Sequence, residues 1–377
     1  MNEALNHVAI VLGSMRMGGA ERATLNLINE LVEKGISCDL VLVHKEGEFL
    51  NAVNPKVRVI GLGKSRTIFS AFSFCQYLKK FNPQVILCGQ THVQLMVLWS
   101  RNRVANSIPV ILNEHSIFSK NLPKSFFKRQ STMLLVKRFF HKAEAITAVS
   151  KKVAEDLVTI LPSLQKKVLV IYNSVIVPSM LEQSLLKPNL PWKSDLSVPI
   201  ILGAGRLVRD KDFKTLVEAV AIVRKSRRVR LVILGDGEEK DSLLSLAEKL
   251  NFENDISLPG YTNNPYAWMS VASVFVLSSR REGLPMVLIE ALACGCKVVS
   301  TDCESGPFEI LDNGKYGKLV PVVDANAMAE AILTSLADSQ EGLKEMQHLD
   351  AYRSHRIADE YIVLMQKLIS TRANVKA

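Results

Sequence analysis

The stretch that most constrains the fold runs from Val274 to Ser300. An apolar run, Val274 to Leu277, is followed by Arg281-Glu282-Gly283-Leu284-Pro285-Met286-Val287-Leu288-Ile289-Glu290-Ala291-Leu292-Ala293-Cys294-Gly295, and then by a second strand-like run, Lys297 to Ser300. Pro285 suits the first turn of a helix, where its missing N–H costs nothing. Gly295 suits the position just past the helix end. The pattern is strand, helix, strand, with both strands reading as buried.

Glu290 is out of place in that helix, which is otherwise apolar almost all round. A buried carboxylate is costly unless it is paired or hydrogen-bonded. It is either part of a core ion pair, on a locally exposed helix, or held ready to accept hydroxyl hydrogen bonds from a ligand. Glu282 falls just before the helix, whose N-terminal N–H groups can receive an anion.

The same βα alternation fills the rest of the 377 residues. His7 to Leu12 reads as a buried strand. A glycine-rich turn, Gly13-Ser14-Met15-Arg16-Met17-Gly18-Gly19-Ala20-Glu21-Arg22, and a helical pattern follow it. Further strands are expected at 57–62, 84–88, 108–113, 144–149 and 167–172. Such alternation predicts a mostly parallel sheet covered on both faces, with ligands at the carboxyl ends of strands. His115 falls at one such end, where it is either a loop residue or a site residue. The turn after His7–Leu12 is neither a Walker A loop nor a GxGxxG–acidic dinucleotide motif.

Prolines 178, 188, 191 and 199 mark a linker, 178–198, between a first domain, 1–177, and a second, 199–350. The second opens with Ile200 to Phe213, in which Arg206 and Lys211 lie between strand and helix. Two cations beside helix N–H groups suit a diphosphate. Residues 351–377 carry a final amphipathic helix.

The charge divides unevenly. Residues 1–195 hold 25 Lys and Arg against 13 Asp and Glu, and residues 196–377 hold 22 against 24. A basic half can attract nucleic acid, anionic lipid or a diphosphate-bearing substrate. Between Lys120 and Lys142 there are seven basic residues and no acidic one, interleaved with Phe126, Phe127, Leu134, Leu135, Phe139 and Phe140. This composition suits membrane-surface contact, a solvated face packed on the sheet, or single-stranded nucleic acid. No RNP or KH-like signature supports the last, so no nucleic-acid partner is expected. No apolar run is long enough to span a membrane, and the first seven residues lack signal-peptide character. The six cysteines lack zinc-ligand spacing. They suggest reduced thiols in a cytosolic protein with no metal site.

Taken together, these motifs resemble the retaining glycosyltransferases of family 4, including bacterial transferases that extend lipid-linked glycans. The residues carrying the resemblance are Glu282-x7-Glu290 with Cys294-Gly295, Gly205-Arg206-Leu207-x3-Lys211, Gly235-Asp236-Gly237, Gly306-Pro307-Phe308-Glu309-Ile310, the Gly18-Gly19-Ala20-Glu21-Arg22 turn, Glu114-His115 and Tyr172-Asn173-Ser174. Ser174 stands where the family commonly has Gly.

The resemblance implies an α/β GT-B fold, two Rossmann-like domains facing across a cleft, with the last helix able to return to the first domain. It implies transfer of a sugar from a nucleoside diphosphate, UDP by default, with retention at the anomeric carbon and no metal or other cofactor. In that scheme Arg206 and Lys211 stabilise the departing diphosphate, and Glu290 holds the ribose. Glu282 and the backbone of Gly283, Leu284, Pro285, Met286 and Val287 position the sugar, and His115 approaches it. Gly18, Gly19 and Gly235 face the donor, and the strand end at Tyr261 meets the base.

Lys124, Lys128, Arg129 and Arg138 are the candidates for contact with an anionic membrane and a polyprenyl-diphosphate-linked acceptor on the cytoplasmic face. The alternatives are a GT-B nucleotide-sugar epimerase and a catalytically silent membrane-surface scaffold.

Overall fold

The protein is described from a computed structural model, which places residues 4–63, 67–104, 107–192, 197–338 and 347–376. Met1 to Glu3 and positions 193–196 of the expected linker lie outside these described residues. The chain divides into two compact units, residues 1–175 with 351–377, and residues 176–350.

The first unit is built on a seven-stranded parallel sheet. Its strands are β1 (His7–Leu12), β2 (Ser37–Leu42), β3 (Arg58–Gly61), β4 (Val85–Gly89), β5 (Val110–Glu114), β6 (Ala145–Ala148) and β7 (Val168–Val170). They lie in the order β3-β2-β1-β4-β5-β6-β7. β1, β4, β5 and β6 are buried almost throughout, which is why they read as continuous apolar runs rather than alternating ones.

Helices cover both faces. Gly19–Glu33 and the final helix, Ser354–Lys376, pack together in one core with Ile10, Leu12, Leu40 and Leu87. The opposite face is closed by Phe74, Tyr77, Val97, Val136 and Phe140 over Val11, Ile86 and Leu112.

The second unit has a six-stranded parallel sheet in the order β10-β9-β8-β11-β12-β13. The strands are β8 (Ile200–Ala204), β9 (Arg230–Leu234), β10 (Ile256–Gly260), β11 (Val274–Leu277), β12 (Val298–Thr301) and β13 (Lys318–Val320). One core joins Ile201, Leu231, Val274 and Val299 to Leu216, Val220, Met328 and Ile332 of the covering helices. Within the proline-rich stretch, Ser179–Ser184 is helical and docks on the Tyr266–Val271 helix. Ser270 Oγ donates to Ser184 O at 2.7 Å, and Asn264 Nδ2 to Gln183 O at 2.8 Å.

In each unit the strand order reverses once, between β1 and β4 in the first and between β8 and β11 in the second. Chains leaving the two strands on either side of such a reversal part to opposite faces of the sheet. A crevice opens between them at the carboxyl ends.

The edge of the first sheet is tied by a buried carboxylate. Asp39 accepts from Arg58 Nε and Nη2, both at 2.8 Å, and from Tyr77 Oη at 2.7 Å, and His7 Nε2 lies 3.0 Å away. Burial would raise this carboxyl, but the hydrogen bonds from His7, Arg58 and Tyr77 outweigh it and hold the group at about 2. A depressed carboxylate stabilises the fold above its unfolded value, and that contribution drains away as pH falls through the folded value. Asp39→Ala should therefore cost the first unit about 2–3 kcal/mol at neutral pH, through the stranded Tyr77 and His7 groups. In denaturant titrations the difference from wild type should shrink as pH falls from about 4 to about 2.

Candidate functional site

At the reversal in the second sheet, the loops after β8 and β11 are stitched together by charge. Lys211 Nζ donates to Glu282 Oε1 at 2.5 Å, and Ser279 Oγ donates to the same oxygen at 2.6 Å. Both side chains of the ion pair are largely covered. Beside it Arg280 clasps Asp212, with Nε 3.0 Å from Oδ2 and Nη2 3.1 Å from Oδ1. Arg281 meets Asp210 at 2.6 Å. The backbones join too: Arg280 N donates to Asp210 O at 2.8 Å, and Ser278 Oγ to Lys211 O at 2.8 Å. Asp212 has a left-handed backbone (φ 48°) and takes a bond from Thr215 Oγ1 at 2.9 Å, which fixes the turn into the Phe213–Val223 helix.

The helix after Glu282 spans Met286–Ala293. Pro285 is its N-cap, and no side chain caps it. Leu288 N donates back to Pro285 O at 3.1 Å, and the N–H groups of Met286 and Val287, with the positive end of the helix dipole, are the ones that can receive an anion. The entry to this helix is braced from below. Ser305 Oγ donates to Gly283 O at 2.7 Å, and Thr301 Oγ1 to Ser279 O at 2.6 Å. Gly306 must be glycine, because it has φ 94° and a Cβ would stand 2.3 Å from Pro285 Cδ. Gly283, Leu284, Pro285 and Met286 are buried, and Val287 is half-buried.

Glu290 is buried within this helix, with the Tyr266 hydroxyl 3.5 Å from Oε1. Burial raises the neighbouring Cys294 thiol to about 12, with Glu290 adding to the shift. Arg206 is exposed on the loop after β8, and Tyr261 is exposed just past β10. Gly235 closes β9. With φ 125°, a Cβ there would fall 1.9 Å from Gly205 O, so the two loops can touch only through glycine.

The structure thus brings Lys211, Glu282 and the Gly283–Val287 backbone into one cluster at the reversal, with Glu290 in the helix beyond. Arg206, Gly235 and Tyr261 lie on loops leaving neighbouring strands of the same sheet. Sequence reasoning did not single out Ser279, Arg280, Asp212, Ser305 or Tyr266. The paired serines directly before Arg280 were the available signal.

The reversal in the first sheet has a matching arrangement. Gln90, just after β4, has a left-handed backbone (φ 66°). Its Oε1 accepts from Gly13 N at 3.2 Å, and its Nε2 donates to Glu21 Oε1 at 2.9 Å. The glycine turn is thereby pinned at both ends. Gly18 is the uncapped N-cap of the Gly19–Glu33 helix, and Gly19 is its first residue.

Next to this, at the end of β5, Glu114 and His115 are both shifted towards their uncharged forms. Burial pushes the Glu114 carboxyl up to about 7, partly offset by Gln94. Burial also holds the His115 imidazole down at about 4, partly offset by Asn173. Glu114 Oε1, Gln94 Oε1 and both His115 ring nitrogens have no hydrogen-bond partner.

Lys124, Lys128, Arg129 and Arg138 are all exposed. The last three lie on the Phe126–Phe139 helix, whose only buried residue is Val136. On that helix Phe126 is 67 %, Phe127 83 % and Leu134 70 % exposed, so these three face away from the sheet, while Met133, Val136 and Phe139 pack inward. No helix among the described residues is long and apolar enough to cross a membrane.

Two family descriptions match the chain: Glycosyltransferase Family 4 over residues 17–177, and Glycosyl transferases group 1 over residues 189–353. The chain is 31 % identical over 348 residues to the N-acetylgalactosamine-N,N'-diacetylbacillosaminyl-diphospho-undecaprenol 4-alpha-N-acetylgalactosaminyltransferase of Campylobacter jejuni, covering 89 % of this chain and 92 % of that one. It is 28 % identical to the amylovoran biosynthesis glycosyltransferase AmsD of Erwinia amylovora, covering 88 % and 90 %. Among solved structures, HepE of Anabaena in complex with UDP-glucose superposes with a TM-score of 0.73 at 18 % identity, covering 98 % and 99 %. That likeness is one of fold.

The two buried titrating groups oppose each other. The raised Glu114 destabilises the fold as pH climbs from about 4.5 to about 7, whereas the lowered His115 destabilises it as pH falls from about 6.5 to about 4. Glu114→Gln removes only the first effect. Relative to wild type it should gain stability as pH rises through that interval, by roughly 2–3 kcal/mol at pH 8. Urea midpoints taken across the range would check this, and a pH-independent difference would contradict it.

Proposed function

The chain belongs to the GT-B glycosyltransferases of family 4, and from that premise we propose that it moves a sugar from a UDP-sugar to a polyprenyl-diphosphate-linked glycan, with retention at the anomeric carbon. The observation that carries the reading is the cluster at the second sheet's strand reversal. There Lys211, Glu282 and an uncapped helix N-terminus share one crevice, with Arg206 on a loop leaving the same strand end. Cations on loops beside a helix N-terminus suit a diphosphate leaving group, whose charge grows as the glycosidic bond breaks. Glu282, oriented by Lys211 and Ser279, is placed to accept from sugar hydroxyls. Glu290 does the same for the ribose, and the strand ends at Gly235 and Tyr261 bound the base.

His115 takes part as a neutral imidazole, able both to donate and to accept. Gly18 and Gly19 open a helix N-terminus to the substrate phosphates. On this reading no side chain acts as a nucleophile or metal ligand, and the departing diphosphate is met by Arg206, Lys211 and the helix N–H groups.

UDP is favoured because two proteins of similar fold, HepE and TarM, were solved with it. The lipid-linked acceptor is favoured by the Campylobacter relative's activity and by the Phe126–Phe139 helix. Phe127 and Leu134 lie about two turns apart on the helix side away from Val136. Lys128, Arg129 and Arg138 lie on the same helix and Lys124 just before it, with no acidic residue from His115 to Ala143. That combination suits the anionic, cytoplasmic face of a membrane.

The donor site is tested by thermal unfolding with UDP, GDP and ADP. At about a hundred times its dissociation constant the right nucleotide should add roughly 2.7 kcal/mol, and Glu290→Ala should abolish the response. Turnover of a UDP-sugar should fall about 10²–10³-fold in Glu282→Ala and in Lys211→Ala. Full activity in either variant would overturn the assignment. Separately, the protein should sediment with phosphatidylglycerol vesicles but not with phosphatidylcholine vesicles. Replacing Phe127 and Leu134 by Ser should abolish this, and so should raising the salt.

A further inference from the structure

A small cavity of about 10 Å³ lies in the first unit, beside the end of β5. Its wall includes Thr24, Asn113, His115, Asn173, Ser174 and Tyr361. Most of the polar groups there are already engaged. Thr24 Oγ1 donates to Ala20 O at 2.8 Å. Thr147 Oγ1 bonds to Asn113 Oδ1 at 3.2 Å and meets the Tyr361 hydroxyl at 3.2 Å.

Two groups are left over. The Ser174 hydroxyl, on a residue 1 % exposed, has no partner, and neither ring nitrogen of His115 makes a hydrogen bond of good geometry, although the Asn173 side chain lies near enough to raise the imidazole slightly. Cavities that stay dry are lined by apolar atoms. A void of about one water's size that is edged by unsatisfied polar atoms holds a water.

We propose that this cavity binds one ordered water molecule, held by the Ser174 hydroxyl and a His115 ring nitrogen, and that this water sets the tautomer and orientation of the imidazole. A neutral imidazole carries one N–H and one bare nitrogen, and a hydrogen bond to either decides which is which. The Ser174 hydroxyl can turn to donate or accept, so the pair is complete with water between them. Ser174 is then a positioning residue acting through water.

The consequence for turnover rests on the transferase reading of His115. The hydration site itself does not, and the experiments separate the two. In full-length protein labelled with ¹⁵N-histidine, His115 should show a single neutral tautomer across neutral pH. Ser174→Ala and Ser174→Gly should both shift its ring ¹⁵N resonances towards a tautomer mixture. A high-resolution crystal structure of the wild type should show the water, and one of Ser174→Ala should show it lost or displaced. In the assay both variants should lose kcat by roughly tenfold while KM for the UDP-sugar is kept.

Unchanged His115 resonances in Ser174→Ala, or an empty wild-type cavity, would overturn the proposal. Shifted resonances with undiminished turnover in both Ser174→Ala and His115→Ala would leave the hydration site standing and remove His115 from the reaction.

Discussion

The reversal of strand order in a parallel sheet is the constraint on which both candidate regions depend. All the strands run one way, so all the carboxyl ends gather at one edge. Only where neighbouring strands send their chains to opposite faces does that edge open into a crevice. In the second unit the loops after β8 and β11 line it, and in the first unit the turn after β1 and Gln90 after β4 do so. Motif residues tens of positions apart in sequence meet because these two strands are neighbours.

Opening a crevice leaves backbone and charge to be satisfied, and the two units do this differently. The second uses ion pairs, Lys211 with Glu282 and Arg280 with Asp212, drawing opposing loops together. Their partial burial strengthens the attraction relative to water, and serines and threonines bonded to the loop carbonyls hold the geometry. The first uses neutral groups: Gln90 bridges Gly13 and Glu21, and Glu114 and His115 are pushed towards their uncharged forms by burial. A site with fixed charges suits a charged leaving group. A site with neutral donors and acceptors suits hydroxyl groups.

The Phe126–Phe139 helix departs from the logic of the core. Elsewhere most large apolar side chains are inside. Here Phe126, Phe127, Leu134 and Leu135 stand in solvent among cations, while Val136, with Met133 and Phe139 beside it, anchors the helix inward. Such a face has meaning only against another surface.

The sequence by itself determined the α/β class, the parallel sheets and the motif loops, because continuous apolar runs, proline at a helix start and glycine past its end are local signals. The strand expected at 57–62 is Arg58–Gly61, and that expected at 167–172 is the shorter Val168–Val170. Glu282 and Glu290 were visible as carboxylates against an apolar background. Only the tertiary structure decided what each of them touches. The Lys211–Glu282 pair spans 71 residues, and neither its partner Ser279 nor the adjacent Arg280–Asp212 pair has a periodicity to betray it. Glu114 reads as an ordinary acid in the sequence, and its raised carboxyl follows from burial, a property of the assembled core. The unsatisfied Ser174 hydroxyl is visible only once the last helix has closed the cavity wall with Tyr361. Spacing along a chain encodes local geometry, whereas desolvation and long-range pairing exist only after the chain has packed.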